Sequence, residues 1–298
     1  MVNDSISSIP AWLRELYPFA QNGHALDGGI QMNFVDHGEG DPVLLLHGNP
    51  TWSFFYRETI KEITGQGLRC IAPDHVGCGL SDKPQAYGYT LRQHIDNMSS
   101  LVDALKLESF HLIVHDWGGA IGCGLAVQDP SRIKSLTLLN TAAFRFSRIP
   151  LRIALCKTPI LGEILIRQFN AFAAGATSMA SAKTLPFIIK RGFIYPYSDW
   201  NSRIATARFV QDIPMKSSHP SWGTLCDIEQ KLSSLANMPI HLCWGMKDWC
   251  FCPAVLEHWK QLFPKAKLTE FPEASHYLLE DAGQQAIQAI SGFVGTVK

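Results

Sequence analysis

The reading of this chain turns on Phe110-His111-Leu112-Ile113-Val114-His115-Asp116-Trp117-Gly118-Gly119. Residues 110–114 have the length and composition of a short strand buried on both faces. Gly118, Gly119, Ala120, Gly122 and Gly124 follow at once, and a helix is predicted over 120–128. A strand that breaks sharply into a helix, with small residues permitting close approach, lifts the residue at its tip over the end of a sheet. In the common form, G-x-S-x-G, that residue is a serine. Here it is Asp116, and Val114 replaces the first glycine. A serine must lose a proton before it attacks. A carboxylate is already ionised at pH 7 and can displace a leaving group from saturated carbon, leaving an ester on the enzyme. The other ordinary use of an aspartate before a glycine-rich helix is as its N-cap.

Outward from this point strands and helices alternate. Residues 27–36 read as an early strand pair turning at Gly28-Gly29. Residues 42–46 read as a buried strand running into His47-Gly48-Asn49-Pro50, with a helix over 51–64. Further strands are expected at 68–72, 133–139, 239–244 and 268–271, and helices at 90–105, 253–263 and 284–294. Such alternation implies a mostly parallel sheet flanked by helices on both faces. It stops at Asn140. From 141 to 235 the pattern is helical, with Leu161, Ile164, Leu165, Phe169 and Phe172 as one apolar face. The expected organisation is an α/β core, 1–140 and 236–298, with a helical cap, 141–235, inserted between two sheet strands and able to exclude water from a site beneath it.

Composition narrows the function classes. With 26 basic and 26 acidic residues the chain has no net charge, so no basic stripe points to nucleic acid. Residues 1–17 lack the basic head and apolar run of a signal peptide, and no run of 18 apolar residues predicts a membrane span. The eight cysteines are scattered and read as reduced thiols of a cytoplasmic protein; Cys250-Phe251-Cys252 has the wrong spacing for a metal or redox pair. No metal or cofactor is expected, and homo-oligomers through the apolar cap face are left open.

In open parallel sheets function lies beyond the carboxyl ends of the strands. Asn49, Asp116, Trp117, Asp248 and His276 all follow predicted strands, and nucleophile, acid and histidine come in the order expected for such a triad. Of the other histidines, His47 reads as a structural strand-end residue, and His75, His94, His111 and His241 as surface or packing residues. Arg57 is expected to pair with a carboxylate near the elbow or sheet edge. Trp52 and Phe54 suit either core or pocket.

Residues 47–53 (His-Gly-Asn-Pro-Thr-Trp-Ser), 73–81 (Pro-Asp-His-Val-Gly-Cys-Gly-Leu-Ser), 115–119, 244–248 (Trp-Gly-Met-Lys-Asp) and Ser275-His276 together resemble the α/β-hydrolase fold and, within it, the haloalkane dehalogenases. The resemblance implies Asp116 as nucleophile, His276 as the base that activates water, and Asp248 as its orienting acid. The Trp117 indole and the Asn49 amide would bind halide, and the backbone N–H groups of Asn49 and Trp117 would form the oxyanion hole. The implied partners are a small apolar substrate, water and a halide ion. The same residues equally resemble the β-lactone decarboxylases of bacterial long-chain olefin synthesis. Residues 170–172 (Asn-Ala-Phe) and 209–214 (Phe-Val-Gln-Asp-Ile-Pro) add to that second likeness. An epoxide hydrolase would need two convergent cap tyrosines, which Tyr195 and Tyr197, flanking Pro196, do not suggest. A non-catalytic ligand-binding member of the fold is the remaining alternative.

Overall fold

The computed structural model describes residues 9–146 and 149–297. The first eight residues, part of the stretch in which no signal peptide is expected, lie outside that range. Strands β1 (Gln21–Ala25), β2 (Gln31–His37), β3 (Pro42–Leu46), β4 (Arg69–Pro73), β5 (Phe110–Asp116), β6 (Ile133–Thr141), β7 (Ile240–Gly245) and β8 (Lys267–Phe271) form one sheet. Their order is β1-β2-β4-β3-β5-β6-β7-β8. β2 pairs antiparallel with β1 and β4, and the pairs from β4 through β8 are parallel. The fold is that of an α/β hydrolase.

β5 lies at the sheet centre, and all seven of its residues are buried. Its alternation divides the core. Leu112 and Val114 face one hydrophobic layer, with Met98, Ile121 and Trp259. Ile113 faces the other, with Ile60, Ile287 and Ile290. A strand covered on both faces needs apolar residues at every position, which is why residues 110–114 read as a continuous apolar run.

Two expectations need correction. The first arm of the early hairpin is β1, residues before Asp27; Asp27–Gly29 is instead a single 3₁₀ turn. β1 is a polar, half-exposed edge strand, so no apolar alternation marks it. The second correction concerns the expected apolar face between β6 and β7. Leu161, Ile164 and Phe169 are exposed, whereas Ile166 is buried with Ile153, Ala207 and Val210. Ile164–Gln168 form a π-helical turn, which rotates the face away from α-helical phase. Apart from that, the regular elements described between the two strands are all helices, from Leu151–Cys156 to Leu232–Leu235.

Trp52 and Phe54 are core residues. Arg57 makes a two-pronged ion pair with Glu280, at 2.6 and 2.9 Å, beneath the Phe54 ring. All eight cysteines are free.

The helix after β5 is pressed against the sheet. A Cβ on Gly118 would lie 2.1 Å from the Leu46 carbonyl oxygen, an immovable backbone atom. Gly118→Ala is therefore expected to destabilise the protein by roughly 1–3 kcal/mol or more in urea unfolding. Gly223→Ala, on a helix with nothing within 4 Å of the added carbon, should be neutral or stabilising.

Candidate active site

Asp116 sits at φ 52° and ψ −125°, a left-handed conformation rarely adopted by a non-glycine residue. The sharp turn separates strand from helix and points the side chain over the carboxyl end of the sheet. Asp116 is the helix's N-cap residue by position, but its carboxylate makes no capping bond. Oδ1 instead accepts the backbone N–H of Asn49 at 2.7 Å, and the Trp117 N–H faces the same carboxylate. The Thr141 hydroxyl donates to the Asp116 carbonyl and fixes the turn from behind. Gly48 is required beside it, since a Cβ there would stand 2.2 Å from the Asp116 side chain.

His276 Nε2 lies 3.7 Å from Asp116 Oδ2, and its Nδ1 donates to Asp248 Oδ2 at 2.8 Å. That bond leaves Nε2 as the basic nitrogen of the neutral ring, facing Asp116. Asp248 is itself held on both oxygens. Oδ1 accepts the N–H groups of Cys250 and Phe251 at 2.7 and 3.1 Å. Oδ2 also accepts the Asn140 amide at 3.0 Å. The structure thus brings Asp116, His276, Asn49 and Trp117 together around the cavity, with Asp248 behind His276.

Burial raises the Asp116 carboxyl above its ordinary value, although His276 and the two N–H groups draw it back. Burial alone would depress His276, but the Asp248 and Asp116 carboxylates more than offset it and raise the imidazole. The other buried histidines behave oppositely. His47 is pushed down to about 3 and His111 and His241 to about 4, each chiefly by burial. His75, His94 and His115 fall well below the usual range for the same reason. These neutral rings pack: His94 stacks on Phe209 and His115 on Phe55. His47 Nε2 accepts the His75 N–H, a structural strand-end role.

Two apolar limbs meet at Asp116, with volumes of about 120 and 90 Å³. Trp117, Phe144, Phe146 and Val210 line the first; Ala176, Met179, Trp249 and His276 line the second. Asn49, Ile153, Phe172 and Cys250 border both. The Asn49 amide donates to the Thr206 carbonyl at 3.1 Å and is buried at the cavity wall. The Trp117 indole N–H has no protein acceptor among the described residues. Tyr195 and Tyr197 do not converge on Asp116. Tyr197 is buried and donates to the Thr51 carbonyl at 3.3 Å, while Tyr195 packs edge-on against Trp12, and neither lines a limb.

Sequence reasoning missed Asn140, at φ 32°, which also bonds both backbone groups of Gly245. The signal was a polar residue ending the apolar β6. It also missed His115, whose Nε2–H donates to the His276 carbonyl at 3.0 Å and steadies the loop bearing the imidazole.

An α/β hydrolase fold model matches residues 41–283. The cis-3-alkyl-4-alkyloxetan-2-one decarboxylase of Shewanella oneidensis is 40% identical over 95% of this chain and 90% of its own. Haloalkane dehalogenase 2 of Mycobacterium tuberculosis is 32% identical over 93% of this chain and 95% of its own. Among solved structures, a haloalkane dehalogenase of Bradyrhizobium elkani superposes with a TM-score of 0.85 at 24% identity, over 94% of this chain and 98% of its own, a likeness of fold. A glycine-packed turn presenting a residue above a parallel sheet, faced by a histidine and its acid, defines an enzyme of the α/β-hydrolase class. This chain belongs to the α/β-hydrolase family, among relatives that are haloalkane dehalogenases and oxetanone decarboxylases.

Asn140→Ala removes a donor from a buried carboxylate and is expected to lower unfolding stability by about 1–3 kcal/mol, together with turnover. For Asp116, a folded pKa above the unfolded value means that its stabilising contribution exists at low pH and is lost as pH rises through the folded pKa. Ionised Asp116 therefore burdens the fold at neutral pH. Asp116→Asn should melt roughly 2–4 °C or more above wild type at pH 7. Melting curves taken at falling pH should show that gain shrinking as wild-type Asp116 takes up its proton.

Proposed function

We propose that the protein decarboxylates cis-3,4-dialkyl β-lactones to cis-alkenes, with Asp116 as nucleophile. The observation that carries this reading is one carboxylate standing where two apolar limbs diverge. A four-membered ring bearing alkyl groups on adjacent carbons has that shape. A relative 40% identical over nearly the whole chain is named for this activity.

The geometry of the ring sets the course of the reaction. Asp116 Oδ2 attacks C4 from the side opposite the ring oxygen; the C4–O bond breaks, ring strain is released, and a free carboxylate remains on C3. Inversion at C4 leaves the new ester oxygen anti to that carboxylate without any bond rotation. The C3–carboxylate electron pair then forms the C3=C4 bond, carbon dioxide departs, and the electrons of the C4–ester bond return to Asp116. Inversion followed by anti elimination keeps both alkyl groups on one side, so a cis-lactone yields a cis-alkene. No water is consumed. The Trp117 indole N–H and the Asn49 amide stabilise the carboxylate uncovered in the first step. The backbone N–H groups of Asn49 and Trp117 favour the departure of Asp116 in the second.

A second reading has support in the free indole N–H of Trp117 and in the dehalogenase relatives. The same carboxylate would expel halide from a haloalkane, with Asn49 and Trp117 binding the ion. His276 would then activate water against the ester carbonyl, the Asn49 and Trp117 N–H groups serving as oxyanion hole, to give an alcohol, halide and a proton. That step is the kind in which a general base contributes about 10²–10⁴-fold.

The two readings differ in the fate of oxygen. With a synthetic cis-dialkyl lactone in heavy-oxygen water, the expected products are carbon dioxide and the cis-alkene, and the Asp116 peptide stays unlabelled by mass spectrometry. A β-hydroxy acid with heavy oxygen in Asp116 would contradict decarboxylation. Bromide release from 1-bromobutane with a labelled Asp116, and no lactone turnover, would establish the second reading.

A further inference from the structure

The charge of this neutral chain is unevenly divided. Residues 141–235 hold 12 Lys and Arg against 5 Asp and Glu, leaving 14 and 21 elsewhere, so +7 is set against −7. The same segment carries nine of the ten large apolar side chains exposed among the described residues. Leu151 is 85%, Phe187 79%, Ile160 76% and Phe169 68% exposed. Single exposed leucines are ordinary; a concentration of this kind on one helical segment marks an interaction surface.

Cations lie among these side chains. Arg152 reaches the Met179 sulfur at 3.4 Å and sits over Trp249, and Arg191 lies over Trp12. Among the described residues neither pairs with a carboxylate. The surface is also continuous with the cavity. The second limb is walled by Arg152, Ile153 and Cys156 from helix Leu151–Cys156 and by Ala176 and Met179 from helix Ala171–Met179. The first of these helices turns Leu151 and Leu155 outward, and Met179 itself is 41% exposed.

We propose that the exposed apolar and basic side chains of this helical segment dock on an anionic phospholipid surface. Exposed apolar side chains among cations are the composition of an interfacial element, which seats apolar groups at the acyl boundary and basic groups among headgroups. A second copy of the chain, packed through the same segment, would set one basic surface against another. The limbs are comparable to cavities that hold a benzene-sized group, so longer alkyl chains extend through the mouth, and docking would surround them with hydrocarbon. Docking is independent of which leaving group Asp116 expels.

Co-sedimentation of the full chain with sucrose-loaded vesicles tests this. Binding is expected to vesicles mixing phosphatidylglycerol with phosphatidylcholine, to weaken in high salt, and to be absent with phosphatidylcholine alone. Leu151→Asp combined with Phe187→Asp should reduce binding about tenfold or more. Gln285→Asp with Gln288→Asp adds the same charge on exposed positions of the helix Gln284–Thr296 and should bind like wild type. No sedimentation of wild type, or equal loss in both variants, would overturn the proposal. So would a wild-type dimer in gel filtration that Leu151→Asp with Phe187→Asp dissolves, in the absence of vesicle binding.

Discussion

A buried carboxylate held by the backbone N–H groups of two different loops is the constraint on which this site depends. Asp116 reaches the Asn49 N–H only because its backbone adopts a positive φ, and that turn fits only because Gly48 and Gly118 bring no side chain into the space. Burial pushes the group toward protonation. The N–H groups and His276 oppose that push, leaving an oxygen with little solvation facing the cavity. Poor solvation is unfavourable for the fold and favourable for attack on saturated carbon, so conformational strain and buried charge are concentrated where bond making is proposed.

Beneath Asp116 lies a chain of polar contacts with few open valences. His276 bonds Asp248, Asp248 bonds two loop N–H groups and Asn140, and Asn140 closes on Gly245 at the end of β7. These groups come from the ends of three neighbouring parallel strands, β6, β7 and β8, so sheet register sets the distances. The contrast among histidines follows from the same arrangement. His47, His75, His94 and His115 are buried without a carboxylate and remain neutral packing rings, whereas His276 faces two carboxylates and is raised.

The central strands were legible because two-sided burial leaves uninterrupted apolar runs; residues 42–46 coincide with β3. Asn49, Asp116, Trp117 and Asp248 were legible for a related reason, since each follows such a run, whereas His276 follows the exposed edge strand β8. The edge strand β1 was not, since a polar, half-exposed strand has no pattern distinguishing it from a loop. Nor was the outward orientation of Leu161, Ile164 and Phe169, because periodicity assumes an α-helical phase that the turn at Ile164–Gln168 interrupts. Asn140 escaped notice because its contacts, with both backbone groups of Gly245 and with the Asp248 carboxylate, leave no mark in a sequence motif.

Two apolar limbs meeting at Asp116, rather than one, fit the two alkyl arms of the proposed substrate. The claim common to both chemical readings is that Asp116 bonds directly to carbon. The most direct measurement is peptide mass spectrometry of Asp116 in two samples: wild type quenched rapidly in acid while turning over a synthetic cis-dialkyl β-lactone, and His276→Phe protein exposed to 1-bromobutane, where loss of the imidazole removes the means of hydrolysing an ester. The account predicts an alkyl ester on Asp116 in at least one of the two. An Asp116 peptide unmodified in both, or alkylation of Cys250 instead, would contradict it.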